Sequence, residues 1–173
     1  MARSLEALKE WTGKTRAKVV YDSTVDAFTA SGLFTKVKGK RNIALIAFTT
    51  DGDVFGGFYS VAATVQDRCF DDPNFFIFSF ESHGRCATPM KFDVKEDKRG
   101  DWAFRFLRLN STAWFVQLGL DSVGNFGLGN EKSRTYCFYL SKFFQNISDT
   151  TLTGKNGVGQ LHSCCRLLAV HLS

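Results

Sequence analysis

No apolar run in this 173-residue chain comes near the roughly 20 residues that a membrane-spanning helix needs. Met1 to Glu10 lacks the apolar stretch of a secretory signal peptide. No long polar tract interrupts the sequence. With 44% hydrophobic and 23% charged residues, it suits one globular unit spanning residues 1–173. Also missing are a C-x-x-C pair, a G-x-S-x-G elbow and the paired short motifs of a structural zinc site. Tyrosine and tryptophan are few, 4 and 3 residues against 18 phenylalanines. The phenylalanines fall in short apolar runs, which favours strands over a helical bundle.

The five cysteines, Cys69, Cys86, Cys137, Cys164 and Cys165, are odd in number and irregularly spaced. Without a secretory address they read as reduced thiols of a cytoplasmic protein, with the nucleus left open. The sequons Asn110-Ser111-Thr112 and Asn146-Ile147-Ser148 are then incidental. A net charge of +5, from 22 basic and 17 acidic residues, favours acidic partners. It also keeps a basic, transcription-regulatory nucleic-acid-binding domain as an alternative. The densest basic patch, Lys36, Lys38, Lys40 and Arg41, reads as a solvated turn between a helix and a strand.

Leu5, Leu8 and Trp11 recur every three residues and predict a short amphipathic helix over about 4–12, ended by Gly13. Ser23 followed by Asp26 resembles an N-terminal cap, opening a second helix that runs towards Gly39. IALIAF at 43–48 predicts an interior strand, Asp51-Gly52 a tight turn, and VFGGFYS at 54–60 the returning strand. Gly56 and Gly57 weaken that strand and call for a bend, a bulge or a close approach; bending is the expectation. In FFIFSF at 75–80, Phe76, Phe78 and Phe80 share one face, with Phe75 and Ile77 on the other. Both faces are apolar, so this strand should be covered on both sides. Further strands are expected at 90–94, 102–107, 114–118, 135–140 and 166–172, and the most loop-like stretch at 148–159. Turn signals at such intervals predict a two-sheet antiparallel β-sandwich over about 18–172, flanked by a few short helices: a β-rich α+β fold.

Catalytic chemistry is not signalled. His83-x-x-Cys86 and His162-x-Cys164 offer two ligands each where a structural zinc site needs about four. Cys164 and Cys165 are redox candidates and would carry a thiol-based antioxidant enzyme. Adjacent residues of a strand face opposite ways, however, so the pair is poorly placed to bridge. The glycine clusters GKNGVG at 154–159 and GNFGLGN at 124–130 lack phosphate-loop spacing and read as turns.

The order of these fragments resembles the TLDc family, the domain of the oxidation-resistance proteins, over nearly the whole chain. LKEW at 8–11 precedes VYDS at 20–23, then come DVFGGFYS at 53–60, DPNFFIFSF at 72–80, FGLGN at 126–130 and a closing strand at 166–172. The resemblance implies that Gly56, Gly57, Phe58, Ser60, Phe76, Phe78, Gly127 and Gly129 are structural signature positions. It further implies a sandwich fold, a role in the oxidative-stress response and a protein partner, in eukaryotic relatives the vacuolar proton-pumping ATPase. It implies no catalytic, cofactor or metal residues, and a monomer is expected. The chain departs from the family where Ala169-Val170-His171 replaces an acid and a tryptophan in the last strand. SVAATV after Tyr59 also lacks the usual tryptophan.

Overall fold

The computed structural model describes residues 2–100, 102–108, 114–120, 126–129, 132, 134–155 and 161–173. The three-residue spacing of Leu5, Leu8 and Trp11 lies on helix α1 (Ala2–Thr12) and turns one apolar stripe inward. Gly13 ends the helix with φ +66°, a left-handed conformation that favours glycine.

Among the described residues the strands are β1 (Ala17–Asp22), β2 (Ile43–Thr49), β3 (Val54–Tyr59), β4 (Cys69–Phe70), β5 (Phe76–Glu81) and β6 (Met90–Asp93). They continue with β7 (Phe104–Phe106), β8 (Val116–Leu118), β9 (Phe126–Leu128), β10 (Arg134–Cys137) and β11 (Leu161–Leu172). Every pairing is antiparallel. One sheet runs β1-β11-β2-β3-β5-β6, the other β4-β7-β8-β9-β10-β11. Strand β11 belongs to both. Leu161 to Ser163 pair with β10, and from Cys164 onwards the strand pairs with β2, with a shift in register between Cys164 and Arg166.

Aromatic rings fill the space between the sheets. Phe55 meets Phe126 at 5.4 Å between ring centroids, and Tyr59 stacks on Phe104 at 4.4 Å. The outer face of the first sheet carries a second cluster, with Ile46, Phe58, Phe76 and Phe78 under α1. Trp11 lies 6.0 Å edge-on to Phe76 and 6.2 Å from Phe80, in a stacked orientation. Phe76, Phe78 and Phe80 thus face the helix while Phe75 and Ile77 face the other sheet, so β5 is covered on both sides. Each ring removed from water in this way contributes about 1.5–3 kcal/mol relative to an exposed one.

Four local expectations need correction. The second helix, α2 (Ala30–Val37), is shorter than expected and is capped by Thr29, whose hydroxyl accepts from the Gly32 amide at 3.0 Å. Ser23 and Asp26 have other work: the Ser23 hydroxyl accepts from the Leu167 amide at 2.8 Å, and Asp26 accepts from the Asp22 amide and pairs with Lys36 at 2.7 Å. Thr29→Ala should therefore cost about 1 kcal/mol in urea unfolding, while Ser23→Ala leaves α2 helicity intact. The part of GNFGLGN that is described is not a turn, because Phe126–Leu128 form β9. The stretch at 135–140 divides into β10 and a short helix, α3 (Leu140–Phe143).

The fourth correction concerns Gly56 and Gly57. Pairing with β2 runs without interruption through both, Leu45 opposite Gly57 and Ile46 opposite Gly56. The one irregularity against β5 falls earlier, between Val54 and Phe55. The glycines answer a close approach instead. A Cβ at Gly56 would overlap the Leu45 carbonyl oxygen, and one at Gly57 would lie 2.7 Å from a Leu118 methyl of the opposite sheet.

Candidate functional site

The signature residues divide by face. Phe58, Phe76 and Phe78 come together beneath α1, whereas Gly57 looks inward across the sandwich. Ser60 follows β3, where its amide and hydroxyl both donate to Asp72, the latter at 2.7 Å. Asp72 also accepts from the Asn74 amide at 2.9 Å, so a buried carboxylate pins the loop that enters β5. Gly127 lies in β9 under the Tyr136 ring, where a Cβ would overlap that ring and come 2.7 Å from Trp114. Gly129 adopts φ +66° beside Phe115. These positions are all consumed by packing and loop anchoring.

Cys164 is buried and Cys165 exposed, as alternation across a strand requires. The Cys164 thiol is pushed up to about 11 by burial, and the Cys137 thiol is raised for the same reason. Both are held as thiols at neutral pH, the unreactive form. The Cys165 sulfur rests 3.3 Å from the Phe48 carbonyl oxygen. His83 and Cys86 are engaged separately, His83 Nε2 with the Asp51 carbonyl at 2.8 Å and Cys86 Sγ with the Ser82 hydroxyl at 3.3 Å. Among the described residues no three His, Cys, Asp or Glu side chains converge to hold a metal ion.

Sequence reasoning missed two ion-pair joints, because each joins residues far apart in the chain. The first holds Arg166 of β11 against Asp22 of β1 with two hydrogen bonds, Nε–Oδ1 being 3.1 Å. The Arg166 bond holds the Asp22 carboxyl far below its usual range. The second joint ties the β2–β3 hairpin to the turn at 150–154. Asp53, whose side chain is 2% exposed, pairs with Arg85, and Arg85 also donates to the Thr151 carbonyl at 3.1 Å and the Leu152 carbonyl at 2.8 Å. His83 Nε2 stands 3.6 Å from the same Asp53 oxygen.

His162, 1% exposed at the start of β11, sits within the electrostatic reach of this joint. Neither ring nitrogen has a hydrogen-bond partner among the described residues. Burial first, and Lys155 second, lower its pKa below the ordinary value, with Asp53 and Asp51 opposing. The sign follows from proton counting: between the folded pKa and about 6.5 the unfolded chain holds a proton that the folded chain lacks. Stability is therefore fully present above about pH 6.5 and falls as the pH drops towards the folded value. Urea midpoints at about pH 7 and about pH 5 should differ for the wild type and converge for His162→Leu. A pH-independent wild-type midpoint over that range would contradict this account.

Among the described residues no helix is long and apolar enough to cross a membrane. The sequon at 110–112 and the end of GKNGVG, 156–159, lie outside the described residues. A family model described as "TLDc domain" matches residues 2–99. No curated protein matches the chain.

Proposed function

The chain belongs to the TLDc domain family, the domain of the oxidation-resistance proteins, and from that membership we propose that it acts without catalysis, as a protein-interaction domain of the oxidative-stress response. The vacuolar proton-pumping ATPase is the proposed partner, and the cytoplasm the proposed place of action. One observation supports the non-catalytic reading: the buried carboxylates, their cationic partner and two of the thiols are committed to holding the fold. Asp53 and Arg85 bind each other and the 150–154 turn, Asp72 caps the entry to β5, and Cys137 and Cys164 are buried thiols. A thiol-based enzyme would need a low-pKa, accessible sulfur, and burial pushes Cys164 the opposite way. The nucleic-acid reading loses support because many cations are paired, among them Lys36 with Asp26, Lys91 with Asp93 and Arg166 with Asp22.

Affinity capture from cells with and without peroxide, followed by cross-linking to purified subunits of the proton pump, tests the proposal. Direct cross-links to a subunit are the expected result. Recovery of neither a pump subunit nor any other stable protein partner would overturn it. Peroxide turnover lost in a Cys164→Ser, Cys165→Ser double variant would favour the thiol enzyme instead.

A further inference from the structure

The outer face of the first sheet is not covered from end to end. Where α1 stops, a groove of about 490 Å³ opens between the end of the helix and β6. Its floor is made of rings that are themselves closed to water: Phe76 is 3% exposed and lies edge-on to Trp11. The groove therefore offers polar walls over a rigid aromatic base.

The charge is uneven along its length. Lys14, Lys91 and Arg99 line the central part, against one carboxylate, Asp93. Lys91 is 3.1 Å from Asp93 and stands 5.3 Å from the Phe76 centroid, so its position is fixed while part of its donor capacity stays open. Arg99 uses Nε on Glu96 at 3.0 Å, which leaves the paired terminal nitrogens of its guanidinium. Lys14 has no ion-pair partner among the described residues.

Two flanking hollows extend the depression. One shares Lys14 and is bordered by Glu6, Lys9 and Glu10; the other shares Arg99 and is bordered by Asp71, Asp72 and Lys98. The depression is thus cationic at its middle and carries carboxylates towards both ends. A small anion would leave the ends unused. A nucleic acid carries a phosphate at every residue and would meet carboxylates at each end. An extended peptide with its acids at the centre and neutral residues on either side matches this distribution of charge.

We propose that this groove receives an extended, centrally acidic peptide segment of a partner protein. The inference rests on the reading of the domain as a protein-interaction module and deepens it. Lys14 and the free edge of the Arg99 guanidinium take the central carboxylates, and Lys91 exchanges part of its pairing with Asp93 for the same purpose.

The probe is a fluorescein-labelled peptide, GSEDEGS, titrated by anisotropy against the intact chain at low salt, with GSQNQGS and a 12-nucleotide single-stranded DNA as comparisons. GSEDEGS should bind at least tenfold more tightly than GSQNQGS, and K14E/R99E should weaken it at least tenfold. Shift mapping by NMR should move the Trp11 indole and the Asn42 amide. Lys14 and Arg99 are surface residues, and an unchanged thermal unfolding curve checks that the variant is folded. Equal binding by the double variant, no preference over GSQNQGS, no binding at all, or tighter binding of the DNA would each overturn the inference. Cross-linking to the proton pump separates the two readings. Equal recovery of a subunit by wild type and K14E/R99E would sink the groove while leaving the partner in place. Recovery by neither, with GSEDEGS still bound through the groove, would remove the pump as partner and keep the groove.

Discussion

Gly56→Ala is expected to destabilise the domain by at least about 3 kcal/mol, a large share of the stability of a domain this size. The added methyl would overlap the Leu45 carbonyl oxygen and come within 2.8 Å of the Phe78 ring. The obstacle is main chain, not a side chain that can turn away. Leu45 is locked on both edges, paired with Gly57 of β3 and with Ala169 of β11. Moving its carbonyl means parting hydrogen bonds at the centre of the sheet. Gly57→Ala meets only a Leu118 methyl at 2.7 Å, and a leucine end can rotate. Its cost should be about 1–2 kcal/mol, rising for Gly57→Val. Urea unfolding followed by far-UV circular dichroism would rank the variants. Equal midpoints for the two alanine variants would mean that the carbonyl yields.

Arg85→Met should be comparably damaging, at about 3–5 kcal/mol, the range for removing one partner from a buried ion pair. The Asp53 side chain is 2% exposed, so its charge would lose its counterion without gaining water. The Thr151 and Leu152 carbonyls would lose their donor as well. Three elements depend on this guanidinium: the β2–β3 hairpin, the turn at 82–85 and the turn at 150–154. An Asp53→Leu, Arg85→Met double variant should recover part of the loss, because the orphaned charge is then gone. Costs that simply add would show that the two residues do not act as a unit.

The sequence was most readable where both the local pattern and the partner lay in the same stretch. FFIFSF declares its two faces by alternation alone, and IALIAF and the Asp51-Gly52 turn carry their own signals. The FGL of β9 misled because glycine normally weakens a strand. Here Gly127 is covered by the Tyr136 ring of the neighbouring strand, a partner that no local window contains. The first part of β11, LHS, has no apolar rhythm to announce it and is held by pairing to β10. The ion-pair joints were invisible for a related reason. Asp22 and Arg166 lie 144 residues apart, and Asp53 and Arg85 are separated by 32, so neither pair forms a motif. The glycine pair was visible at once, but its cause, a carbonyl one strand away, was not.

Strand β11 is the last of the described strands to be synthesised, yet it borders β1 and β2 in one sheet and β10 in the other. During translation the other described strands leave the ribosome before the piece that unites them. The contacts that complete the fold span nearly the full length of the chain, which makes for slow closure and a long exposure of phenylalanine-rich edges. A nascent chain halted before Leu161 is expected to remain protease-sensitive and to need chaperone cover, and emergence of Leu161–Leu172 should complete both sheets together.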